Sequence, residues 1–351
     1  MKTIQWIVDK YEDNISTYPQ IKEAAQFLND NEVIAFPTET VYGLGANAKS
    51  DEAIAKIFAA KGRPADNPLI VHISTFSQLT ELTEHISNQA KQLIKAFWPG
   101  PLTIIFPKKE NSVSKLVTAG LETVAVRMPN HPIALELITA AGIPIAAPSA
   151  NRSGKPSPTT ADHVCTDLNG RIAGIVNGGM TGVGVESTVI DCSGGVPVIL
   201  RPGGISQEEI EAVIGKVMMD QALANRDEKP KSPGMKYTHY APAAPLYLVD
   251  GDRKWMQELI DRKRLEGEKV GVLATNETAP LYDADFVLAC GSKKDLKTVA
   301  HHLYDTLRSF DEIKPDLIFA EVFPATGLGV ALMNRLEKAA GHKWLKQIDE
   351  K

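Results

Sequence analysis

The stretch Ile143-Pro144-Ile145-Ala146-Ala147-Pro148-Ser149-Ala150-Asn151-Arg152-Ser153-Gly154-Lys155-Pro156-Ser157 joins an apolar run to a loop of small hydroxyls, an amide and two cations. The apolar run reads as a short buried strand, and the prolines hold the chain open where it leaves the sheet edge. Loops carried on a rigid sheet are where binding chemistry tends to sit. A second loop of the same character, Lys61-Gly62-Arg63-Pro64-Ala65-Asp66-Asn67-Pro68, runs straight into the strand-like Leu69-Ile70-Val71-His72-Ile73. Either loop alone reads as solvated punctuation. Together they place cations and neutral donors at two loop–strand junctions, as a polyanion such as a nucleoside triphosphate requires.

Working outward, the first part of the chain mixes strand-like and helical segments. Strands are predicted over 32–36, 69–73, 102–106, 123–128, 143–147, 172–176, 187–191 and 196–200. Helices are predicted over 50–60, 88–97, 133–141 and 207–219, the first with Ser50 or Asp51 as its N-cap. Runs of adjacent strands among helices imply a twisted, mixed sheet and not a purely parallel one. Residues 224–244 are charged, Pro-rich and without periodicity, as in a linker or a functional lid, yet Met235-Lys236-Tyr237-Thr238-His239-Tyr240-Ala241-Pro242 is too aromatic for a mere spacer. Beyond it, strands at 246–249, 270–274, 286–289 and 317–320 alternate with helices at 254–266, 295–310 and 329–340, the signature of a small doubly wound α/β domain. The expected division is a first domain over 1–219, a linker over 220–245 and a Rossmann-like domain over 246–351.

A chain of 351 residues suits two domains, and a net charge of -5 carries no global basic footprint of a nucleic-acid coat protein. Cys165, Cys192 and Cys290 stand far apart, without metal-ligand spacing, and read as buried small hydrophobes in a reducing compartment. With no apolar leader and no apolar span of membrane length, the sequence is expected to be cytoplasmic.

No Walker A sequence is present, and Gly178-Gly179-Met180-Thr181-Gly182-Val183-Gly184 lacks both the P-loop lysine and the dinucleotide fingerprint. That run reads as a turn that delivers Glu186-Ser187-Thr188 to a strand. Candidates for phosphate contact are Lys61, Arg63, Arg127, Arg152, Lys155 and Arg201. Arg127 and Arg201 each end an apolar strand, where a buried guanidinium needs an anionic partner, whether Asp, Glu or ligand. Pro37-Thr38-Glu39-Thr40-Val41-Tyr42-Gly43-Leu44-Gly45 offers two Thr hydroxyls and a Tyr as the floor for a small polar substrate. His72 interrupts an otherwise apolar strand that begins at the cationic loop.

Residues 37–46, 61–72, 98–102, 124–129, 147–158, 184–188 and 201–204 resemble the YrdC-type domain of threonylcarbamoyl-AMP synthases. The pair Lys61-x-Arg63 with Ser149-x-Asn151 matches that family's signature. Ser232-Pro233-Gly234-Met235-Lys236-Tyr237-x-His239-Tyr240-Ala241-Pro242 and Ala325-Thr326-Gly327-Leu328-Gly329-x-Ala331-x-Met333-Asn334-Arg335 resemble the long, two-domain form. Thr238 departs from the pattern, which has Arg there. The resemblance implies a mixed-sheet YrdC-like α/β domain with a concave cationic cleft, followed by the linker and the Rossmann-like domain.

It further implies that L-threonine, bicarbonate or CO2, and ATP give threonylcarbamoyl-AMP and pyrophosphate, a nucleotidyl transfer serving tRNA modification beside the anticodon. By carry-over, Lys61 and Arg63 are the catalytic cations. Arg63, Asn67, Thr123, Ser149, Asn151, Ser157, Arg201 and Tyr237 bind ATP, with Tyr240 a second aromatic contact. Thr40, His72, Arg127, the backbone at Ala147, and Ser187 bind threonine. Mg2+ is expected on the ATP phosphates without a protein cage. Expected partners are downstream tRNA threonylcarbamoyl-transfer proteins and a weak RNA contact. An RNA-binding module of the same fold without catalysis is the competing reading, disfavoured by the acidic balance and by the lack of an aromatic basic stripe. A carbamoyltransferase of the hydrogenase-maturation type would carry Cys-rich zinc modules, which three scattered cysteines cannot form.

Overall fold

The computed structural model describes residues 2–9, 18–220 and 240–347. These fall into two compact units, the first within Met1–Ser153 and Ser157–Tyr237, the second within Gly154–Pro156 and Thr238–Lys351.

The first unit runs β1 (Ile4–Ile7), α1 (Pro19–Asn29), β2 (Ile34–Phe36), β3 (Gly43–Asn47), α2 (Asp51–Lys61), β4 (Ile70–His72), α3 (Phe76–Leu82), α4 (Asn88–Phe97) and β5 (Leu102–Pro107). It continues with β6 (Thr123–Arg127), α5 (Pro132–Ala141), β7 (Ile145–Ala146), α6 (Ala161–Leu168), β8 (Gly174–Asn177), β9 (Thr188–Asp191), β10 (Val198–Arg201), α7 (Gln207–Ile214) and β11 (Met218–Met219). Its strands form one eleven-stranded mixed sheet in the order β1-β8-β2-β3-β7-β4-β6-β5-β9-β10-β11.

Local chemistry sets several boundaries. Ser50 Oγ accepts from Ala53 N at 3.2 Å, and Asp51 and Glu52 favour the helix N-terminus, so α2 starts there. It stops at Gly62, whose φ of 62° is left-handed and suits glycine. Lys61 therefore closes the helix and does not lie in the loop that the sequence suggested. Ser206 and Glu209 form a capping box at the start of α7. The helix predicted over 207–219 is shorter than expected. Gly215 ends it, and Met218 and Met219 instead pair with Val198 and Ile199.

The stretch Gly43–Asn47, expected to be a loop floor, is a strand antiparallel to β2 and β7. A Cβ on Gly45 would stand 2.6 Å from Phe36 Cε1 and 2.8 Å from Ile145 Cγ2, so its glycine serves close packing and not a turn.

Two cores lie on opposite faces of the sheet. Ile21, Ala24 and Leu28 of α1 and Leu137 and Ile138 of α5 pack with Ile34 and Phe36. Ala35, Val71, Ile104, Val126 and Ile190 instead face a cluster fed by α2, α3, α4, α6 and α7. The alternation of Ile34, Ala35 and Phe36 between the two clusters is the strand period of two.

In the second unit β12 (Leu246–Asp250), α8 (Arg253–Leu265), β13 (Val270–Ala274), β14 (Phe286–Ala289), α9 (Leu296–Ile313), β15 (Leu317–Glu321), α10 (Leu328–Ala339) and β16 (Trp344–Lys346) follow in turn. Their sheet is wholly parallel, in the order β14-β13-β15-β12-β16. Parallel strands need crossovers, which α8, α9 and α10 provide, while β13 and β14 are joined by residues 275–285 with a short 3-10 turn at Ala279–Leu281. No helix among the described residues is long and apolar enough to cross a membrane.

Candidate functional site

Strand alternation creates the floor of the site. Val124 and Val126 of β6 enter the larger core, so Thr123, Ala125 and Arg127 share the opposite face. Ile70 and His72 of β4 and Thr103 and Ile105 of β5 share that face by the same rule. On it Ile70, Ile105, Ala125, Val189 and Leu200 make a small apolar cluster to which, among the described residues, no helix contributes. The polar residues of the face border this apolar floor.

Strand register then separates them into two groups. β4 and β6 are parallel, with Ile70 opposite Ala125 and His72 opposite Arg127. Asn67 and Thr123 thus lie toward one end, His72 and Arg127 at the other, about 13 Å apart along β6 at ~3.3 Å per residue.

At the His72 end, Arg127 is held on three sides. Nε donates to Gly100 O at 3.3 Å, Nη1 donates to Thr40 Oγ1 at 3.0 Å, and Nη2 lies 2.7 Å from Glu39 Oε1. The 37–42 turn is wound by Thr38, whose Oγ1 accepts from Thr40 N and Val41 N. Nearby, Ser187 Oγ lies 2.8 Å from Thr103 Oγ1 and accepts from Arg201 Nη2 at 3.1 Å, while Arg201 also donates to Ser187 O. Ser157 Oγ donates to Glu186 Oε1 at 2.5 Å. His72 is buried, and its ring meets Phe36 edge-on. Burial first, and the Arg127 charge second, push its pKa down to about 3, so the ring is neutral at ordinary pH.

At the other end, Lys61 Nζ donates to Ser149 O at 2.5 Å, Asn151 O at 2.7 Å and Asn151 Oδ1 at 3.3 Å. Ser149 Oγ donates to the same Oδ1. The ammonium therefore braces the 149–151 loop from beneath. Burial, then the neighbouring Arg63 charge, draws Lys61 down to about 7. Arg63 follows the αL turn at Gly62, and Asn67 is fully buried in the loop that leads into β4. Ala147 N donates to Ile70 O at 2.8 Å, and Ser149 bridges to Gly43, which ties the opening loop to β3 and β4.

Lys61, Arg63, Asn67, Thr123, Ser149, Asn151, Ser157, Arg201, Thr40, His72, Arg127, Ala147 and Ser187 all fall in the first unit. Tyr237, like Thr238 and most of the expected lid, lies outside the described residues. Tyr240, expected as a second nucleotide contact, is instead buried in the second unit and stacked on Tyr304, with ring centroids 5.2 Å apart. Two carboxylates of this region, Glu39 and Glu186, are not among the candidates that the sequence singles out. The signal for Glu39 was present: a buried strand-end Arg demands an anion.

A family profile described as telomere recombination (Sua5_yciO_yrdC) matches residues 26–203. A second, described as the C-terminal domain of threonylcarbamoyl-AMP synthase, matches residues 205–341. A threonylcarbamoyl-AMP synthase of Bacillus subtilis is 60% identical over 346 residues, covering 99% of this chain and 100% of its own. Another, from Pyrococcus abyssi, is 50% identical over 332 residues, covering 93% and 96%. The crystal structure of Pyrococcus abyssi Sua5 complexed with L-threonine matches with a TM-score of 0.92 and 48% identity, covering 99% of this chain and 100% of that one.

Proposed function

Since this chain belongs to the Sua5/YciO/YrdC family and continues into that family's threonylcarbamoyl-AMP synthase C-terminal domain, we propose that it makes threonylcarbamoyl-AMP. The substrates are L-threonine, bicarbonate or CO2, and ATP, and pyrophosphate leaves. The observation that carries the reading is one sheet face with a hydroxyl–guanidinium group at one end of β4 and β6 and a braced cationic loop at the other. An amino acid and a triphosphate require groups of those two kinds, side by side. The threonine bound in the Pyrococcus abyssi structure supports the same reading.

In this reading Thr40, His72, Arg127, Ser187 and the Ala147 backbone hold threonine, with Arg127 on its carboxylate. Arg63, Asn67, Thr123, Ser149 and Asn151 hold ATP at the loop end, joined by Tyr237, while Ser157 and Arg201, which lie with Glu186 and Ser187 toward the Arg127 end, hold it where it meets threonine. A threonine carbamate is already a nucleophile toward the α-phosphorus. The protein's task is to align it and to neutralise charge as pyrophosphate departs. Arg63 supplies that charge directly. Lys61, whose donors go to the 149–151 loop, supplies it while fixing the loop that meets the phosphates. Mg2+ enters as part of the substrate MgATP. The reaction is a nucleotidyl transfer, and its labile product passes to tRNA threonylcarbamoyl-transfer proteins.

Pyrophosphate release from ATP and bicarbonate tests this directly, with threonine, with serine and with no amino acid. Release that depends on threonine is expected. Equal release in all three overturns the proposal.

A further inference from the structure

Glu39 is a buried carboxylate whose acceptor capacity is largely unused. Its Oε1 stands 2.7 Å from Arg127 Nη2, yet neither oxygen accepts a hydrogen bond of good geometry from a described residue, and both are shut off from solvent. An ionised carboxylate has about four lone-pair sites, and leaving them empty in a dry place is costly. The main chain that carries it is fixed at this place. Val183 N donates to Glu39 O at 2.7 Å and Gly184 N to Thr40 O at 3.1 Å, which clamps the main chain on both sides of the peptide. Glu39 and Thr40 therefore present a carboxylate and a hydroxyl to one and the same guanidinium.

We propose that Glu39 turns from its closed position against Arg127 to receive the α-ammonium of the incoming amino acid, so that Glu39 and Arg127 together read the zwitterion. This rests on threonine being the substrate. The two charges of a free amino acid sit on one carbon, and a side-by-side carboxylate and guanidinium is their complement. A lone Arg127 would welcome any small hydroxy acid. Glu39 repels an acid that brings no cation, which makes the site selective by exclusion as well as by attraction.

The contact also has a direction in time. As the nitrogen bonds to carbon dioxide it releases two protons to solvent, and R–NH3+ becomes R–NH–COO−. The group beside Glu39 changes from cation to anion. The residue that admits threonine then repels the carbamate, whose favourable surroundings are the cations at the phosphate end.

The alternative is that Glu39 only braces Arg127. Calorimetric titration of the full-length protein with L-threonine and with (R)-3-hydroxybutyrate, the same acid and hydroxyl without nitrogen, separates the two. Wild type is expected to prefer threonine by at least about tenfold, the scale of one charge-assisted contact. Glu39→Gln is expected to bring that ratio close to one. Equal weakening of both ligands, with the ratio kept, would show a brace and overturn the proposal. A wild-type ratio near one overturns it without any variant, so a poorly folded Glu39→Gln protein leaves the question decidable. Glu39→Asp, which keeps the charge, is expected to retain most of the preference. If wild type binds neither ligand, the failure lies with the threonine reading itself.

Discussion

His72 shows how burial assigns a protonation state that residue type alone leaves open. Its ordinary pKa is about 6.5, and burial with Arg127 alongside brings it to about 3. Between those values the unfolded chain holds a proton that the folded chain does not. Stability therefore falls as pH falls through that window, by up to about 1.4 kcal/mol per pH unit for this one group. The functional consequence is a neutral ring, able to donate from one nitrogen and accept at the other. NMR of the His72 ring is expected to show no titration between pH 5 and 8. A midpoint near the ordinary histidine value would mean that the ring meets water and is not part of a dry site. The sequence marked His72 as an oddity in an apolar strand, but alternation and register were needed to put it beside Arg127.

Among the elements, the segments around 186–188 and 201–204 come as close as two backbones can. A Cβ on Gly203 would lie 2.4 Å from Glu186 O, Ser187 C and Thr188 N, atoms that cannot swing aside. Gly203→Ala is expected to force the segments apart and destabilise the protein by about 1–3 kcal/mol, the usual cost of overpacking. Because Ser187 and Arg201 are joined across that contact, threonine and ATP binding should weaken together. Gly194→Ala, where a Cβ meets nothing within 4 Å, should stay within about 0.5 kcal/mol of wild type. Urea denaturation of both variants with ligand titrations checks this, and wild-type stability in Gly203→Ala would disprove the close approach. The start of α2 at Ser50 was legible because capping is local, whereas its last residue, Lys61, reads as loop until the left-handed Gly62 is seen to close the helix. β3 was not legible, since its two glycines look like turn residues until Phe36 and Ile145 are packed over them.

At the scale of the whole molecule, the described apolar clusters of the first unit draw on residues up to Met219, and the second unit has an apolar cluster of its own around β12, β13 and β15. A fragment of residues 1–220 is therefore expected to unfold in one cooperative urea transition, followed by far-UV circular dichroism. A gradual, non-cooperative loss of signal would mean that its core is incomplete. Local sequence was enough for the two-part α/β organisation, the mixed character of the first sheet, the parallel second one, and the loop that carries Arg152 and Lys155, but not for the helical place of Lys61. Hydrophobic period, caps and turn residues act over a few neighbours, so they can be read from one strand of text. Tertiary structure alone decided that Arg127 meets Glu39, that Lys61 spends its donors on the 149–151 loop, and that Thr103 meets Ser187. It also decided that Ile70, Ile105 and Ala125 share one face of β4, β5 and β6 in a cluster made from strand residues. These are pairings across the sheet, and a buried charge is settled by whichever partner the fold brings within a few ångströms, which local sequence does not encode.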